Sequence, residues 1–323
     1  MKVVVTGAGG FLGKRVVAEL VKRGHHVIAM VRSDRDDVRF DASVATISAD
    51  LRYPDRYEAQ IAGSEAVIHL AAATSGSEDQ QFNGSVVGTE KFIAVLERLG
   101  IGRIIFISSI VVSDNGKTGR EMTEDSEQVS DLYQMAPYTV AKTWQERIMR
   151  EAAVKFGWNL TVLRPGYIWS TGKMKIAGIG PTAGPLHFLI APMAKLPITH
   201  VENCAACIGH VLDRTPAGTE IFNVIDSEDV TSWKYARALF KINKTPKLIV
   251  PVPYVAGLAL VKVIDFFSGW ILGPTRRVPS FFIPKRFSAQ FKPLHLTSTQ
   301  LRTVTGWVPP RTFEECLTRD WQA

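Results

Sequence analysis

The chain has 323 residues, of which 46% are hydrophobic, 21% charged and 9% aromatic. This composition is typical of globular proteins and excludes disorder, collagen and a coiled coil as descriptions of the whole chain. Three cysteines are too few for a disulfide framework and favour a reducing, cytoplasmic location. A strand-like run begins at Lys2 and leaves no room for a signal peptide, and no run of about 18 apolar residues predicts a spanning helix.

The formal net charge of +7 comes from the C-terminal quarter of the chain. Residues 240–323 contain 12 Lys and Arg against 4 Asp and Glu, whereas the other 239 residues contain 26 against 27. No nucleic-acid motif accompanies this charge, so we do not expect a nucleic-acid partner. A local anionic partner, either a phosphate-bearing substrate or a membrane surface, fits the charge better.

From the N-terminus onwards, short apolar runs alternate with helical patterns. The predicted strands lie at 2–6, 27–31, 44–48, 66–70, 104–108, 160–163 and 221–225. The predicted helices lie at 11–22, 55–61, 86–99, 138–157, 202–213 and 232–240. Apolar strands that alternate with amphipathic helices predict an α/β fold, in which a doubly wound parallel sheet is covered by helices on both faces.

The first turn between a strand and a helix is rich in glycine. It runs from Thr6 to Gly13, and Gly7, Gly10 and Gly13 have the spacing G-x-x-G-x-x-G. One glycine allows a sharp turn, the second lets the backbone approach a diphosphate, and the third lets the helix pack on the strand. The sequence therefore predicts a Rossmann site whose diphosphate lies at the helix N-terminus, contacting Gly7, Gly9, Gly10, Phe11, Leu12 and Gly13.

The residues after the second strand discriminate between the two nicotinamide dinucleotides. An acidic side chain there binds the ribose 2′-hydroxyl of NAD(H), whereas arginine accommodates the 2′-phosphate of NADP(H). The strand ends at Val31 and is followed by Arg32, Asp34 and Arg35. We expect Arg32 and Arg35 to favour NADP(H), and Asp34 leaves NAD(H) as the alternative.

A tyrosine and a lysine lie one helical turn apart, at Tyr138 and Lys142. A free tyrosine has a pKa of about 10, and a neighbouring ammonium group favours the phenolate and lowers that pKa. Tyr138 could then exchange a proton with an alcohol while hydride moves to or from the nicotinamide. Ser108 and Ser109 end the fifth strand at the ligand-binding edge, and only one of them should face the site because strand side chains alternate.

Together these motifs resemble the extended short-chain dehydrogenases/reductases, which include NAD-dependent epimerases/dehydratases and a 3β-hydroxysteroid dehydrogenase-like branch. The resemblance covers nearly the whole chain, and its motifs are Thr6–Gly13, His69-Leu70-Ala71-Ala72, Ile107-Ser108-Ser109, Tyr138-x-x-x-Lys142, Leu163-Arg164-Pro165-Gly166, His200-Val201-Glu202-Asn203 and Thr305-Gly306-Trp307-Val308-Pro309. It implies a catalytic set of Ser109, Tyr138 and Lys142. It also implies further cofactor contacts by Asp50, Leu51, Leu70, Ala71, Ala72, Pro165 and Gly166.

The same resemblance implies a division of the chain. Residues 1–165 are expected to form the NAD(P)-binding Rossmann domain, and residues 166–323 mainly a smaller substrate-binding subdomain, with about 200–245 returning to the sheet. Residues 166–197 are rich in Gly and Pro, which predicts a loop around a ligand. One motif departs from the family, because Ser85 stands where the family often has an asparagine, so a proton relay through that asparagine is in doubt.

The motif after the sixth strand favours a reductase or dehydrogenase of a largely apolar molecule. Arg164-Pro165-Gly166 lacks the asparagine that sugar-nucleotide enzymes of the family commonly carry there, and residues 110–112 lack a dehydratase acid/base pair. Tyr167 and Trp169 are the candidate substrate contacts. A nucleotide-sugar epimerase/dehydratase that retains NAD is the alternative function, and a non-catalytic NADP(H)-binding regulator is a second alternative.

Three further expectations concern partners and metals. Residues 241–311 contain 11 basic residues against Asp265 alone, interleaved with aromatic residues, which suggests peripheral contact with an anionic membrane or a substrate lid. A homodimer is a further expectation. Cys204 and Cys207 fall in a predicted helix interior without two further ligands at matching spacing, so we expect no metal site.

Overall fold

A computed structural model describes residues 1–32, 38–116, 119, 121–214, 216, 218–226, 229–244, 247–272 and 279–319. The strands in these ranges are β1 (Lys2–Thr6), β2 (His26–Val31), β3 (Ala45–Ser48), β4 (Ala66–His69), β5 (Arg103–Ile107), β6 (Glu121–Met122), β7 (Asn159–Pro165), β8 (Tyr167–Trp169), β9 (Thr182–Ala183), β10 (Leu186–Ile190), β11 (Ile198–His200), β12 (Thr219–Val224), β13 (Leu248–Val252) and β14 (His295–Leu296).

The α-helices in the same ranges are α1 (Phe11–Lys22), α2 (Glu58–Ile61), α3 (Glu78–Phe82), α4 (Gly88–Leu99), α5 (Pro137–Phe156), α6 (Val201–Leu212), α7 (Ser232–Ile242), α8 (Tyr254–Leu272), α9 (Pro284–Phe291), α10 (Thr299–Thr305) and α11 (Phe313–Arg319). A π-helical turn over Asn83–Val87 joins α3 to α4. The sequence missed α3 and placed the start of α4 two residues early, at residue 86.

Seven parallel strands form the central sheet, in the order β12-β7-β5-β4-β1-β2-β3. The chain first moves outwards from β1 to β3 and then returns to place β4 on the other side of β1. Ligands bind at such a reversal, beyond the carboxyl ends of the strands. The predicted α/β doubly wound sheet is therefore confirmed, and β12 joins it beside β7.

Side chains on both faces of the sheet are buried, as the continuous apolar strands predicted. Val3 and Val5 of β1 pack in a core with α1 and α6, whereas Val4 points to the opposite core, with Phe92 of α4 and Met149 of α5. Cys204 and Cys207 lie in α6 and are buried in the first of these cores. The two cores hold the helices against the sheet and fix the positions of the loops at its carboxyl edge.

The segment 166–197 contains more regular structure than the predicted loop. The strand β8 pairs in parallel with β11, and β10 pairs with β9 and, in parallel, with β13. Since β10 and β13 are about 60 residues apart in the sequence, neither strand carries a local hairpin signal that could have shown the pairing. The prediction of a continuous loop here was wrong.

The helices α8 and α9 pack against each other beside this small sheet. Val261 of α8 lies in an apolar cluster with Phe287 and Phe291 of α9. Gly257 of α8 allows the close approach, because a Cβ atom there would lie 2.8 Å from the Phe287 ring. Among the described residues, no helix combines the length and the apolar character needed to cross a membrane.

Candidate active site

A crevice of about 2090 Å³ runs along the carboxyl edge of the sheet. Pockets for drug-sized ligands are usually about 300–1,000 Å³, so this crevice has room for a dinucleotide together with a substrate. Its lining includes eighteen of the residues that the sequence singled out: Gly7, Gly9, Gly10, Phe11, Leu12, Gly13, Arg32, Asp50, Leu51, Leu70, Ala71, Ala72, Ser109, Tyr138, Lys142, Pro165, Gly166 and Tyr167. Arg35 lies outside the described residues.

The glycine turn brings α1 against β1 more closely than any side chain would allow. Gly7 has a φ angle of +69°, in the left-handed region that favours glycine. A Cβ atom at Gly7 would also lie 2.9 Å from the amide nitrogen of Ala71, and one at Gly13 would overlap the Gly7 carbonyl oxygen. The glycines at these two positions are therefore required by geometry.

The N-terminus of α1 opens into the crevice. Gly10 is the N-cap, no side chain caps the helix, and its first turn contains no acidic residue. The backbone N–H groups of this turn and the positive end of the helix dipole therefore remain for an anion. This arrangement fits a dinucleotide diphosphate, which would be held by the backbone N–H groups from Phe11 to Gly13, since the Gly10 N–H already donates to the carbonyl oxygen of Gly7.

Two arginines line the far end of the crevice, beyond β2 and β3. Arg32 is exposed there, as predicted, and Arg52 lies beside Asp50. Arg52 Nη2 is 2.7 Å from Asp50 Oδ2, and this guanidinium lowers the pKa of the Asp50 carboxyl group. The sequence gave no motif for Arg52, whose position at the crevice depends on the turn after β3.

Tyr138 and Ser109 face each other across the middle of the crevice. The Ser109 hydroxyl lies close enough to the Tyr138 phenol to lower its pKa, and its Oγ accepts a hydrogen bond from the backbone N–H of Val111 at 3.4 Å. Ser108 turns the other way, and its hydroxyl donates to Glu146 Oε2 at 2.6 Å. The alternation expected of the two serines is therefore present, and it is Ser109 that faces the crevice.

The pKa of Tyr138 differs from the expectation of a lowered value. Burial raises the pKa of the Tyr138 phenol to about 12, and the Ser109 hydroxyl only partly opposes this effect. In the chain alone, the cost of removing the phenolate from water therefore exceeds the stabilisation by its neighbours, and the expected lowering by Lys142 together with an oxidised nicotinamide stays a prediction. Before any ligand binds, Tyr138 is a neutral acid at pH 7.

Lys142 is buried one helical turn after Tyr138, and a backbone carbonyl group anchors its side chain. Its Nζ donates to the carbonyl oxygen of Ile107 at 2.8 Å. Burial lowers the pKa of Lys142 to about 7, and the carboxylate of Glu146, one turn later in α5, acts in the opposite direction. With this pKa, Lys142 is divided between its ammonium and amine forms near pH 7, and a further charge placed in the crevice would shift that ratio.

Glu146 is a buried carboxylate that supports this arrangement through hydrogen bonds. It receives hydrogen bonds from Arg164 Nη2 at 2.7 Å, from Gln128 Nε2 at 2.6 Å and from Ser108. Arg164 and Glu146 are 1% and 0% exposed, so the pair belongs to the interior. The pair links β7 to α5, which carries Tyr138 and Lys142, and the bond from Ser108 connects both to the end of β5, just before Ser109.

A second buried network supports the loop after β4. His69 contacts Thr6 Oγ1 through Nδ1 at 2.7 Å and Thr89 Oγ1 through Nε2 at 2.9 Å. Gln145 Nε2 donates to Thr89 Oγ1 and to the carbonyl oxygen of Ala71. Burial lowers the pKa of His69 to about 3, so this histidine is neutral and structural, as the sequence suggested. Sequence reasoning missed Gln145, although its spacing of three from Lys142 places it on the same helix face.

The serine that departs from the family motif has a defined contact. Ser85 is buried in the π-helical turn, and its Oγ accepts a hydrogen bond from the backbone N–H of Ala73 at 2.9 Å. Asn83 is exposed and lines the crevice. The two side chains therefore point in different directions, as expected, and Ser85 holds the loop that follows β4.

The two candidate substrate residues have different positions. Tyr167 lines the crevice, and Gly178 packs on its ring, since a Cβ atom there would lie 2.7 Å from Cε2. Trp169 is 1% exposed and packs against His200 and Phe313 in the core of the smaller subdomain. The assignment of Trp169 to the substrate was wrong, because its ring is enclosed in that core and does not line the crevice.

The crevice wall contributed by α9 also holds the segment that leads into Tyr138. Lys285 Nζ donates to Asp131 Oδ2 at 2.7 Å and to the carbonyl oxygen of Tyr133 at 2.8 Å. Arg286 donates to the carbonyl oxygens of Gln134 and Met135, immediately before α5. The sequence showed these two residues only as part of a basic stretch, because contacts over about 150 residues leave no local pattern.

Comparison with known proteins agrees with this geometry. The chain is 31% identical over 211 residues to the 2-alkyl-3-oxoalkanoate reductase of Stenotrophomonas maltophilia (strain K279a), which covers 64% of this chain and 63% of that relative. The chain thus spans less than two thirds of that curated relative. It is 24% identical to the sterol-4-alpha-carboxylate 3-dehydrogenase, decarboxylating, of Mus musculus, over 100% of this chain and 90% of the relative.

Among solved structures, MoeE5 in complex with UDP-glucuronic acid and NAD superposes with a TM-score of 0.73 at 18% identity, covering 100% of this chain and 99% of that one. At this identity the likeness shows the fold. Residues 3–224, well over half of the chain, match the model of the NAD dependent epimerase/dehydratase family. The chain therefore belongs to this family, within the extended short-chain dehydrogenases/reductases.

Proposed function

We propose that this protein is an NAD(P)-dependent oxidoreductase that interconverts a carbonyl and a secondary alcohol on a largely apolar small molecule. One observation carries the proposal. The Tyr138 phenol and the Ser109 hydroxyl lie together in a crevice that also receives the N-terminus of α1, and Lys142 is buried one helical turn after Tyr138. A proton donor, an orienting hydroxyl and a dinucleotide cradle in one crevice are the components that such a reaction needs.

The bound nicotinamide would supply or accept the hydride. Ser109 would donate a hydrogen bond to the substrate oxygen and hold it against Tyr138. In the direction of reduction, Tyr138 gives its phenolic proton to that oxygen, which fits the raised pKa of its buried phenol. Lys142 then stabilises the phenolate, since a cation near the oxygen opposes the cost of burial that raises the tyrosine pKa.

We propose NADP(H) as the preferred cofactor. Arg32 is exposed at the crevice, and Arg52 provides a second guanidinium at the same end. The nearby carboxylate of Asp50 is bound to Arg52. Two arginines beside the position expected for the ribose favour a 2′-phosphate, with which arginine forms strong hydrogen bonds.

The substrate class rests on the crevice wall and on the names of two relatives. Tyr167, Phe281 and Phe291 give the substrate end of the crevice an aromatic lining. The relatives described above are named as a reductase of 2-alkyl-3-oxoalkanoates and as a sterol carboxylate dehydrogenase. Both names support a carbonyl or alcohol carried by an apolar skeleton.

The test is a steady-state assay of the purified chain with NADPH and NADH. It uses ketones and 3-oxoesters of increasing chain length, with Arg32→Ala and Arg237→Ala as matched variants, since Arg237 is an exposed arginine on α7. We expect turnover with NADPH, a KM for NADPH that rises about tenfold in Arg32→Ala, and no change in Arg237→Ala. A strong preference for NADH in the parent protein would overturn the cofactor proposal.

A nucleotide-sugar epimerase/dehydratase is the second candidate, favoured by the likeness in fold to MoeE5 with UDP-glucuronic acid and NAD. Mass spectrometry of small molecules released from the purified protein separates the two. A retained nucleotide sugar or tightly held NAD would support the second candidate.

A non-catalytic regulator is disfavoured because Tyr138 and Lys142 both lie in the crevice. A cytoplasmic location and a homodimer stay predictions.

A further inference from the structure

The exposed side of α8 is almost entirely apolar. Among the positions of this 19-residue helix whose burial the structure describes, Gly257 and Val261 are buried, and both face α9. The opposite face carries one polar residue, Lys262, at its edge, and otherwise the exposed residues Val255, Ala256, Ala259, Leu260, Val263, Phe266, Phe267, Trp270 and Ile271. Trp270 is 80% exposed and Phe266 71% exposed. An apolar surface of this length on a folded domain marks a docking site.

We propose that this face of α8 docks on an anionic lipid membrane and lies in the plane of the interface. A helix of 19 residues is about 28 Å long. The packing of Val261 against Phe287 keeps the inner face on the protein, so the helix is placed on the surface and does not span the membrane. The aromatic rings of Phe266, Phe267 and Trp270 are suited to the boundary between headgroups and acyl chains.

The charge of the segment that contains α8 favours lipid over a second copy of the chain. Residues 241–311 carry 11 basic residues against one acidic residue in the sequence. Lys262 is exposed at the edge of the apolar face, and Lys241 and Lys244 are exposed earlier in the same segment. An isologous dimer through α8 would bring two such basic regions together, which costs free energy, whereas anionic headgroups attract them.

The docking face also lies close to the candidate active site. Phe287 of α9 packs on α8, and the neighbouring Ser288, Ala289 and Phe291 line the crevice. A single helix therefore separates the proposed membrane face from the crevice. On the proposed function, this placement makes carbonyl compounds or alcohols dissolved in the membrane the substrate class.

The experiment measures co-sedimentation of the full chain with vesicles. The vesicles contain either phosphatidylcholine alone or equal parts of phosphatidylcholine and phosphatidylglycerol, in 50 mM and 500 mM salt. The variant is Phe266→Ser/Phe267→Ser/Trp270→Ser. The matched control, Val154→Ser/Met193→Ser, removes two equally exposed apolar side chains elsewhere, which are 81% and 77% exposed.

We expect the parent and the control to bind the anionic vesicles at 50 mM salt, with much weaker binding at 500 mM, and the triple variant to lose at least tenfold in affinity. Lys262→Glu, which changes only charge, should also weaken binding.

The proposal is overturned if the parent does not bind at 50 mM salt or if the triple variant binds equally well. A parent that light scattering shows to be a dimer, and a triple variant that is a monomer, would instead assign the face to a second copy. None of these readouts requires turnover, so failure here is separate from failure of the proposed function.

Discussion

The helices α5 and α8 have similar lengths, but α5 buries polar side chains whereas α8 exposes large apolar ones. In α5, the polar side chains of Lys142, Gln145 and Glu146 are buried, and each has a defined hydrogen-bond partner. In α8, large apolar side chains such as Phe266 and Trp270 are exposed. Both arrangements oppose the usual preference of a folded chain, and such exceptions are expected at functional sites. In the two proposals above, α5 carries the chemistry and α8 docks on a surface.

The largest effect on stability should come from the buried ion pair of α5. Glu146→Gln leaves the Arg164 guanidinium buried without its counter-charge, and we expect the free energy of unfolding to fall by about 3–5 kcal/mol. Urea denaturation measures this loss. Glu58→Gln is the matched control, because Glu58 pairs with Arg98 at the surface and its loss should have little effect. A similar small effect for Glu146→Gln would contradict the structural role of the pair.

The pH dependence of stability should show the buried state of Lys142. Its pKa is about 7 in the folded chain and 10.5 in the reference state, so the unfolded chain binds more protons between these values. The folded state therefore gains stability as the pH rises from about 7 to about 10.5, by about 1.4 kcal/mol per pH unit. Lys142→Met should lack this gain. Urea denaturation of both proteins at pH 7 and pH 9 measures it, and parallel pH profiles would contradict the burial of a titrating lysine.

The contact between α9 and the segment before Tyr138 should affect turnover more than folding. Arg286→Ala removes the hydrogen bonds to the carbonyl oxygens of Gln134 and Met135, which loosens the entrance to α5. We expect kcat to fall about tenfold, since small displacements of a reacting group are costly, with partial recovery in Arg286→Lys. Steady-state kinetics measures the effect, and an unchanged kcat would show that α9 forms only a wall.

The smallest effect should come from α8. Phe266→Ala changes a side chain that is 71% exposed, so the free energy of unfolding should change by less than about 0.5 kcal/mol. Met149→Ala in α5 is the counterpart, because Met149 is fully buried and its truncation should cost about 2–5 kcal/mol. Thermal or urea unfolding compares the two variants. A large loss for Phe266→Ala would place its ring in a core and remove the docking face.

The sequence was most informative where function requires a local pattern. The strands of the central sheet, the glycine turn and the one-turn spacing of Tyr138 and Lys142 are all short-range features, and the structure brings them to one crevice. The sequence was weakest where long-range pairing decides the structure. The pairing of β10 with β13 and the contacts of Arg286 connect distant segments that carry no mutual signal.

Trp169 shows a different limit. Aromatic residues fill both cores and pockets, and composition alone does not separate these roles. Trp169 follows Tyr167 by two residues on the same face of β8, and both rings contact the core of the smaller subdomain. Only Tyr167, at the start of the strand, also reaches the crevice, and this difference depends on packing that the sequence does not show.

The central claim, that Tyr138 transfers the proton, is tested most directly by Tyr138→Phe in a single-turnover measurement. The protein is saturated with NADPH, and nicotinamide absorbance follows reduction of the best ketone from the assay described above. Tyr133→Phe, an exposed tyrosine on the preceding segment, is the control. We predict that the rate falls by about 10²–10⁴-fold in Tyr138→Phe while the Kd for NADPH and the control remain unchanged. A rate within about threefold of the parent would contradict the account.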